Sequence, residues 1–120
     1  MSNKARALII DDEADILELL EITLKRMDIE TCTAQDIHSA QTLLQQQKFN
    51  ICLTDIRLPD GDGLELLAAM QISQPKLPVI VITAHGSTDL AVKAIKQGAF
   101  DFLNKPVDLK VLRQLVNDAL

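Results

Sequence analysis

The sequence predicts an α/β fold: a doubly wound, five-stranded parallel sheet with helices on both faces. Three observations carry this expectation. Short apolar runs bounded by turn signals recur along the chain, they alternate five times with stretches of helical period, and polar residues stand where the runs end. Short connections and right-handed crossovers then put helices on both faces of the sheet. At 120 residues the chain is read as one domain, 1–120, large enough to bury roughly two-thirds of its unfolded surface.

Each element has its own signal. The first run, Ala7-Leu8-Ile9-Ile10, ends at Asp11-Asp12, and a helical stretch over about Glu13–Met27 follows with Ile16, Leu20, Leu24 and Met27 on one stripe. Glu30-Thr31-Cys32-Thr33-Ala34 is the weakest strand, and its mixed polarity suits a place nearer the sheet edge. A helix is predicted over Ile37–Gln47. Ile51-Cys52-Leu53-Thr54 then runs into Asp55, and Pro59-Asp60-Gly61-Asp62-Gly63 forms a turn-rich loop before a helix over Leu64–Ser73, which Gln74-Pro75 closes. Val79-Ile80-Val81-Ile82 ends at Thr83. After a helix over Thr88–Gln97, which Gly98 can end, Phe100-Asp101-Phe102-Leu103-Asn104 leads to Lys105, and Leu109, Leu112, Val116 and Ala119 stripe a last helix over Leu109–Leu120.

Composition narrows the class. Cys32 and Cys52 fall inside different apolar runs, as reduced core thiols do, so neither a disulfide nor a metal centre is expected of them. No stretch approaches the roughly 18 to 20 apolar residues of a membrane span, and the start, Met1 to Arg6, lacks the apolar stretch of a signal peptide. A cytoplasmic location and no membrane partner are expected. Seventeen acids against twelve bases give a net charge of −5, which disfavours direct binding of nucleic acid.

Open parallel sheets carry their sites outside the carboxyl ends of the strands. Asp11, Asp12, Asp55, Thr83 and Lys105 should therefore converge on one rim. If Asp12 and Asp55 share a cation, the first and third strands are neighbours, as the flavodoxin-like order 2-1-3-4-5 provides. Two adjacent carboxylates repel unless a cation neutralises them, and Mg²⁺ takes carboxylate oxygens while leaving room for phosphate. Asp11 and Asp12 suit that role; the plainer alternative is that one of them caps the helix after it. A carboxylate such as Asp55 can attack phosphorus when a metal and a fixed cation neutralise the transferring oxygens, and Lys105 would supply that cation. Taken singly, Asp55 could be a cap, Lys105 a solvated lysine, Thr83 an ordinary strand residue and Phe102 a core ring. Pro106 could fix the turn that aims Lys105 inward, including as a cis bond.

The motifs Ile9-Ile10-Asp11-Asp12-Glu13, Leu53-Thr54-Asp55-Ile56-Arg57-Leu58-Pro59-Asp60-Gly61-Asp62-Gly63, Val81-Ile82-Thr83-Ala84-His85 and Gly98-Ala99-Phe100-Asp101-Phe102-Leu103-Asn104-Lys105-Pro106 occur in order across the chain. Together they resemble the receiver domains of bacterial two-component response regulators. The resemblance implies Asp55 as phosphoacceptor, Asp11 and Asp12 as Mg²⁺-binding acids with Asp12 the direct ligand, and Asp55 with the backbone carbonyl of Arg57 as the remaining protein ligands. It implies that Thr83 and Lys105 contact the phosphoryl oxygens, that Phe102 is the switch aromatic, and that a sensor histidine kinase is the phosphodonor. Catalysis would extend only to the domain's own phosphorylation and dephosphorylation. The stretch from Thr83-Ala84-His85-Gly86 through Gly98-Ala99-Phe100-Asp101-Phe102-Leu103 is similar to receivers fused to ATPase modules in NtrC-like activators of sigma-54 transcription. That similarity, with an end at Leu120 inside a helical pattern, implies a downstream output region with ATPase and DNA-binding domains, though a stand-alone receiver is also consistent.

Competing readings share parts of this set. A haloacid dehalogenase-type phosphohydrolase would need an acid two residues after the nucleophile, where Arg57 stands, and 120 residues leave little room for a cap. A flavin carrier would need a hydroxyl- and glycine-rich phosphate loop and usually stacking aromatics; the chain has no Trp, no Tyr and three Phe. A receiver that only docks, independently of phosphorylation, is opposed by the complete set Asp11, Asp12, Asp55, Thr83 and Lys105. Arg57 and His85 flank the site and could tune the acyl-phosphate lifetime, with exposed loop positions the plainer reading. Lys93, Lys96, Asp101, Lys110 and Arg113 give the fourth helix, fifth strand and fifth helix a mixed-charge face suited to a homodimer or an output domain.

Overall fold

Alternating side chains on the first strand settle how the layers form. In the computed structural model, which describes residues 4–84 and 86–120, β1 spans Arg6–Ile10; its Ala7 and Ile9 point to one side of the sheet and Leu8 and Ile10 to the other, all fully buried. Both faces of a strand this apolar must be covered. Helices α1 (Ala14–Lys25) and α5 (Leu109–Ala119) cover one, through Leu17, Leu20, Leu24, Leu112 and Val116. Helices α2 (Ile37–Gln46), α3 (Gly63–Ser73) and α4 (Thr88–Lys96) cover the other, through Ala40, Leu64, Leu67, Met70 and Ala94.

The sheet itself contains β2 (Glu30–Ala34), β1, β3 (Ile51–Thr54), β6 (Val79–Thr83) and β7 (Asp101–Asn104) in that spatial order, every pair parallel. Counting main-sheet strands alone, this is the predicted order 2-1-3-4-5. β2 lies at the edge, as its polarity required, and β1 and β3 are neighbours with Ile10 beside Thr54. Cys52 is buried and Cys32 half-buried, and both are free thiols. Among the described residues, no helix is long and apolar enough to cross a membrane.

Two details depart from the sequence reading. The loop after Asp55 contains a miniature antiparallel hairpin, β4 (Arg57–Leu58) and β5 (Gly61–Asp62), whose two-residue strands are too short to show a period. The first helix begins at Ala14, with Glu13 as its N-cap, and closes earlier than Met27. Its exit is a Schellman motif: the Asp28 amide donates to the Lys25 carbonyl and the Ile29 amide to the Leu24 carbonyl, with Asp28 at φ 63° in the place usually held by glycine. Gly98, at φ 104°, closes α4 with the same bond pair, to Ile95 and Ala94.

Candidate functional site

The site is an extension of the β-ladder. One residue past each strand the main chain still pairs: the Asp11 amide donates to the Ala34 carbonyl at 3.0 Å, the Asp55 amide to Ile10 at 2.9 Å, and the Lys105 amide to Thr83 at 2.9 Å. Sheet pairing therefore fixes the Cα positions of Asp11, Asp55 and Lys105 on a common rim, and Thr83 closes β6 beside β3. Gly63 tightens the arrangement further. A Cβ there would collide with the Asp55 carbonyl and Ile56 Cα, so only glycine lets α3 begin against the Asp55 backbone while its amide donates to Ile56.

Lys105 is the hub. Its ammonium lies 2.8 Å from Asp11 Oδ2, 3.0 Å from Asp55 Oδ2 and 3.0 Å from Glu13 Oε1. The lysine side chain is 8% exposed, Asp11 2% and Asp55 6%, whereas Glu13 reaches in from solvent at 58%. Burial alone would push the ammonium toward its neutral form; hydrogen bonds to Asp11, Asp55 and Glu13 outweigh that and raise its pKa. For Asp11 burial is the larger influence. Its carboxyl sits above the ordinary aspartate value despite bonds from Lys105 and from the Glu13 amide, the latter at 2.9 Å. Asp55 Oδ1 accepts from the Ile56 amide at 2.6 Å and, more loosely, from the Arg57 amide at 3.4 Å, so the carboxylate is held at both oxygens. The Lys105–Pro106 peptide is cis.

One carboxylate oxygen each from Asp11, Asp12, Glu13 and Asp55 lies within 4.8 Å of the others. Four acids around one ammonium leave three uncompensated negative charges, and oxygen donors at this spacing fit a small hard divalent cation. Asp12 is exposed, and among the described residues its carboxylate pairs with no cation, which leaves its oxygens open to a metal. Asp11 does not cap α1 in the usual sense. It accepts the amide of Glu13, the residue at the cap position itself.

Of the remaining predicted residues, Thr83, Phe102 and Arg57 lie on elements next to this cluster. Thr83 is completely buried at the end of β6. Phe102 sits on β7 opposite Val81, half-buried and packed against the α2–α3–α4 core. Arg57 is exposed and opens the hairpin that follows Asp55. His85 lies outside the described residues. Sequence reasoning missed Glu13 as a partner of Lys105; its one signal was a third consecutive acid after β1. It also missed Asp60, whose carboxylate reaches the amino end of α2.

Comparison with known proteins gives a consistent picture. The family described as the response regulator receiver domain matches residues 7–117. The chain is 55% identical over 118 residues to the response regulator protein PilR of Pseudomonas aeruginosa, covering 98% of this chain and 26% of PilR. Among solved structures it resembles the beryllofluoride-activated NtrC4 receiver domain dimer, with a TM-score of 0.91 and 36% identity over 95% of this chain and 94% of that one. It also resembles the receiver domain of NtrX from Brucella abortus, with a TM-score of 0.89 and 37% identity over 95% and 97%. The chain spans about a quarter of the length of the curated relatives it matches.

Proposed function

We propose, on the premise that this chain belongs to the response regulator receiver domain family, that it is a phosphorylation-controlled signalling switch whose phosphoacceptor is Asp55. The observation that carries the reading is the Lys105 ammonium bonded at 3.0 Å to a buried Asp55 carboxylate within a cluster of acids. A carboxylate oxygen of Asp55 forms the new P–O bond as the P–N bond of a histidine kinase's phosphohistidine breaks, and the imidazole nitrogen leaves with the bonding pair. The Ile56 amide orients the nucleophile through Oδ1. Lys105 neutralises charge on the transferring oxygens, and the Thr83 hydroxyl donates to one of them in the product.

Asp11, Asp12, Asp55 and the Arg57 carbonyl would hold Mg²⁺, which when bound supplies positive charge to the phosphoryl oxygens and fixes their orientation. The donor set fits: the acid oxygens are closely grouped and outnumber the one ammonium. Hydrolysis, in which water attacks phosphorus and the Asp55 carboxylate leaves to give inorganic phosphate, would be the domain's only other chemistry. A transcriptional output downstream of the receiver is supported by relatives named as a transcriptional regulatory protein, GlrR, and a DNA-binding transcriptional regulator, NtrC. Within that reading the output is of the sigma-54-activating type, with ATPase and DNA-binding domains.

Thr83 and Phe102 would carry the signal. Drawing the Thr83 hydroxyl toward a phosphoryl group vacates space that the half-buried Phe102 ring can take, and the face of α4, β7 and α5 changes shape. Val92 and Ile95 are exposed on α4 among Lys93 and Lys96. Dimerisation is supported by the activated receiver dimer to which the chain is similar, and this exposed face is the surface we assign to it. Intact-mass analysis after incubation with Mg²⁺ and a small phosphodonor tests the core of the proposal. Wild type should gain one phosphoryl group and Asp55→Asn none; equal gain by the Asn variant would remove Asp55 from the role.

A further inference from the structure

The hairpin after Asp55 is tied down at its far end by a residue that the chemistry above does not use. Asp60 lies in the turn between β4 and β5, and its carboxylate spans two amides at the start of α2: Oδ1 accepts from Ile37 at 2.8 Å and Oδ2 from His38 at 3.0 Å. Asp60 thus takes two first-turn amides that the helix's own cap leaves open. Asp36 already occupies the N-cap position, its Oδ1 accepting from the Ser39 amide at 2.7 Å. Gly61, next in the hairpin, lies so close to α2 that a Cβ there would stand 2.9 Å from Ile37 Cδ1.

The segment that Asp60 grips also touches the opposite side of the rim. The Gln35 side-chain amide donates to the Asp12 carbonyl at 3.4 Å, and the Ala34 carbonyl accepts from the Asp11 amide at 3.0 Å. Residues 34–38 thus bridge the acid pair after β1 and the hairpin that begins with Arg57. At its near end the hairpin is held by the Ile56 and Arg57 amides on Asp55 Oδ1 and by burial of Leu58. Asp60 closes the ring of contacts.

We propose that Asp60 is a positioning residue for cation binding, clamping the hairpin to α2 so that the Arg57 carbonyl is held at a fixed separation from Asp11 and Asp12. The inference rests on the reading that the rim binds Mg²⁺. A carbonyl on an untethered two-strand hairpin must be ordered when the ion arrives, whereas a clamped one is already in place. Both oxygens of Asp60 are committed to the clamp, and those two amides hold its carboxyl below the usual aspartate value.

Isothermal titration of the metal-free protein with MgCl₂ tests the clamp, with Asp60→Ala, Asp60→Asn and Asp36→Ala beside wild type. Loss of groups behind metal ligands costs about 10- to 100-fold in affinity, and a contact one step further out should cost about three- to tenfold. Asp60→Ala should weaken binding by that factor and speed amide exchange across 57–62. Asp60→Asn, which keeps one acceptor oxygen, should fall between. Asp36→Ala, which removes the Ser39 bond and leaves the Ile37 and His38 amides to Asp60, should weaken binding less than Asp60→Ala does. Wild-type affinity in Asp60→Ala, or equal weakening in Asp36→Ala, overturns the clamp while leaving Mg²⁺ binding intact. Wild type that takes up no Mg²⁺ overturns both.

Discussion

Replacing Lys105 by Met tests whether the ammonium is a structural counter-ion for the acids around it. Met fills similar volume without charge, so the change isolates electrostatics. The bond to Glu13, more than half exposed, should contribute little. Asp11 and Asp55 are almost wholly buried, and removing one partner of a buried pair costs about 3–5 kcal/mol because the remaining charge is stranded. Asp11 can relieve part of that by taking up a proton, since burial already holds its carboxyl above the ordinary range, which places the expected loss near about 3 kcal/mol. For a domain of this size, with total stability on the order of 5–15 kcal/mol, that should lower Tm by about 10 °C. The chain lacks Trp and Tyr, so urea unfolding is followed by far-UV circular dichroism, in EDTA and again with excess MgCl₂. Mg²⁺ should stabilise Lys105→Met more than wild type, because all the acids are then released to the cation. A loss below about 1 kcal/mol in EDTA, the size of an ordinary substitution, would refute the buried counter-ion argument.

Asp12→Asn should raise the metal-free Tm, by about 0.5–1 kcal/mol of stability, since its carboxylate adds repulsion with no cation partner among the described residues; scanning calorimetry in EDTA reads it. Asp28→Gly should stabilise by a similar about 0.5–1 kcal/mol in urea melts, because glycine takes φ 63° without the left-handed penalty and the Lys4–Asp28 pair that is lost is exposed. The Asp60 carboxyl, followed by NMR titration, should protonate below the ordinary aspartate value of about 3.9. A depressed folded pKa gives stability present above about pH 4 and lost as pH falls through the folded value, so Asp60→Asn should flatten that acid limb of the stability profile. Thr83→Ala should still accept phosphate but show a smaller shift toward dimer with beryllofluoride in analytical ultracentrifugation; an undiminished shift removes Thr83 from the pathway.

What the sequence made legible was whatever a single period or strand end encodes. Val79 to Ile82 and Ala7 to Ile10 read as buried strands because nothing polar interrupts them, and Glu30 to Ala34 read as an edge because something does. Convergence of Asp11, Asp55, Thr83 and Lys105 followed from where parallel strands end. Contacts between distant segments left no such trace. Lys105 meets Glu13 across 92 positions, and Asp60 meets Ile37 across 23, through side-chain reach that no periodicity reports. The Asp28 turn escaped notice for a different reason: its backbone conformation is set by helix closure, and aspartate there carries no glycine signal.

Charge arithmetic links the cation to the phosphoryl group. Four carboxylates and one ammonium leave the rim at three negative charges in a partly buried setting. Phosphorylation of Asp55 would exchange one carboxylate charge for about −1.5 to −2 on the phosphoryl group, deepening the deficit at the point where burial makes it costliest. Lys105 cannot offset both Asp11 and a phosphoryl group, because one ammonium supplies a single charge however its three bonds are shared. A divalent cation more than cancels the added charge. On the proposed function, a dependence of phosphorylation on Mg²⁺ would follow from the number of acids on the rim, and it should weaken when one of the non-nucleophilic acids, Glu13, is replaced by Gln.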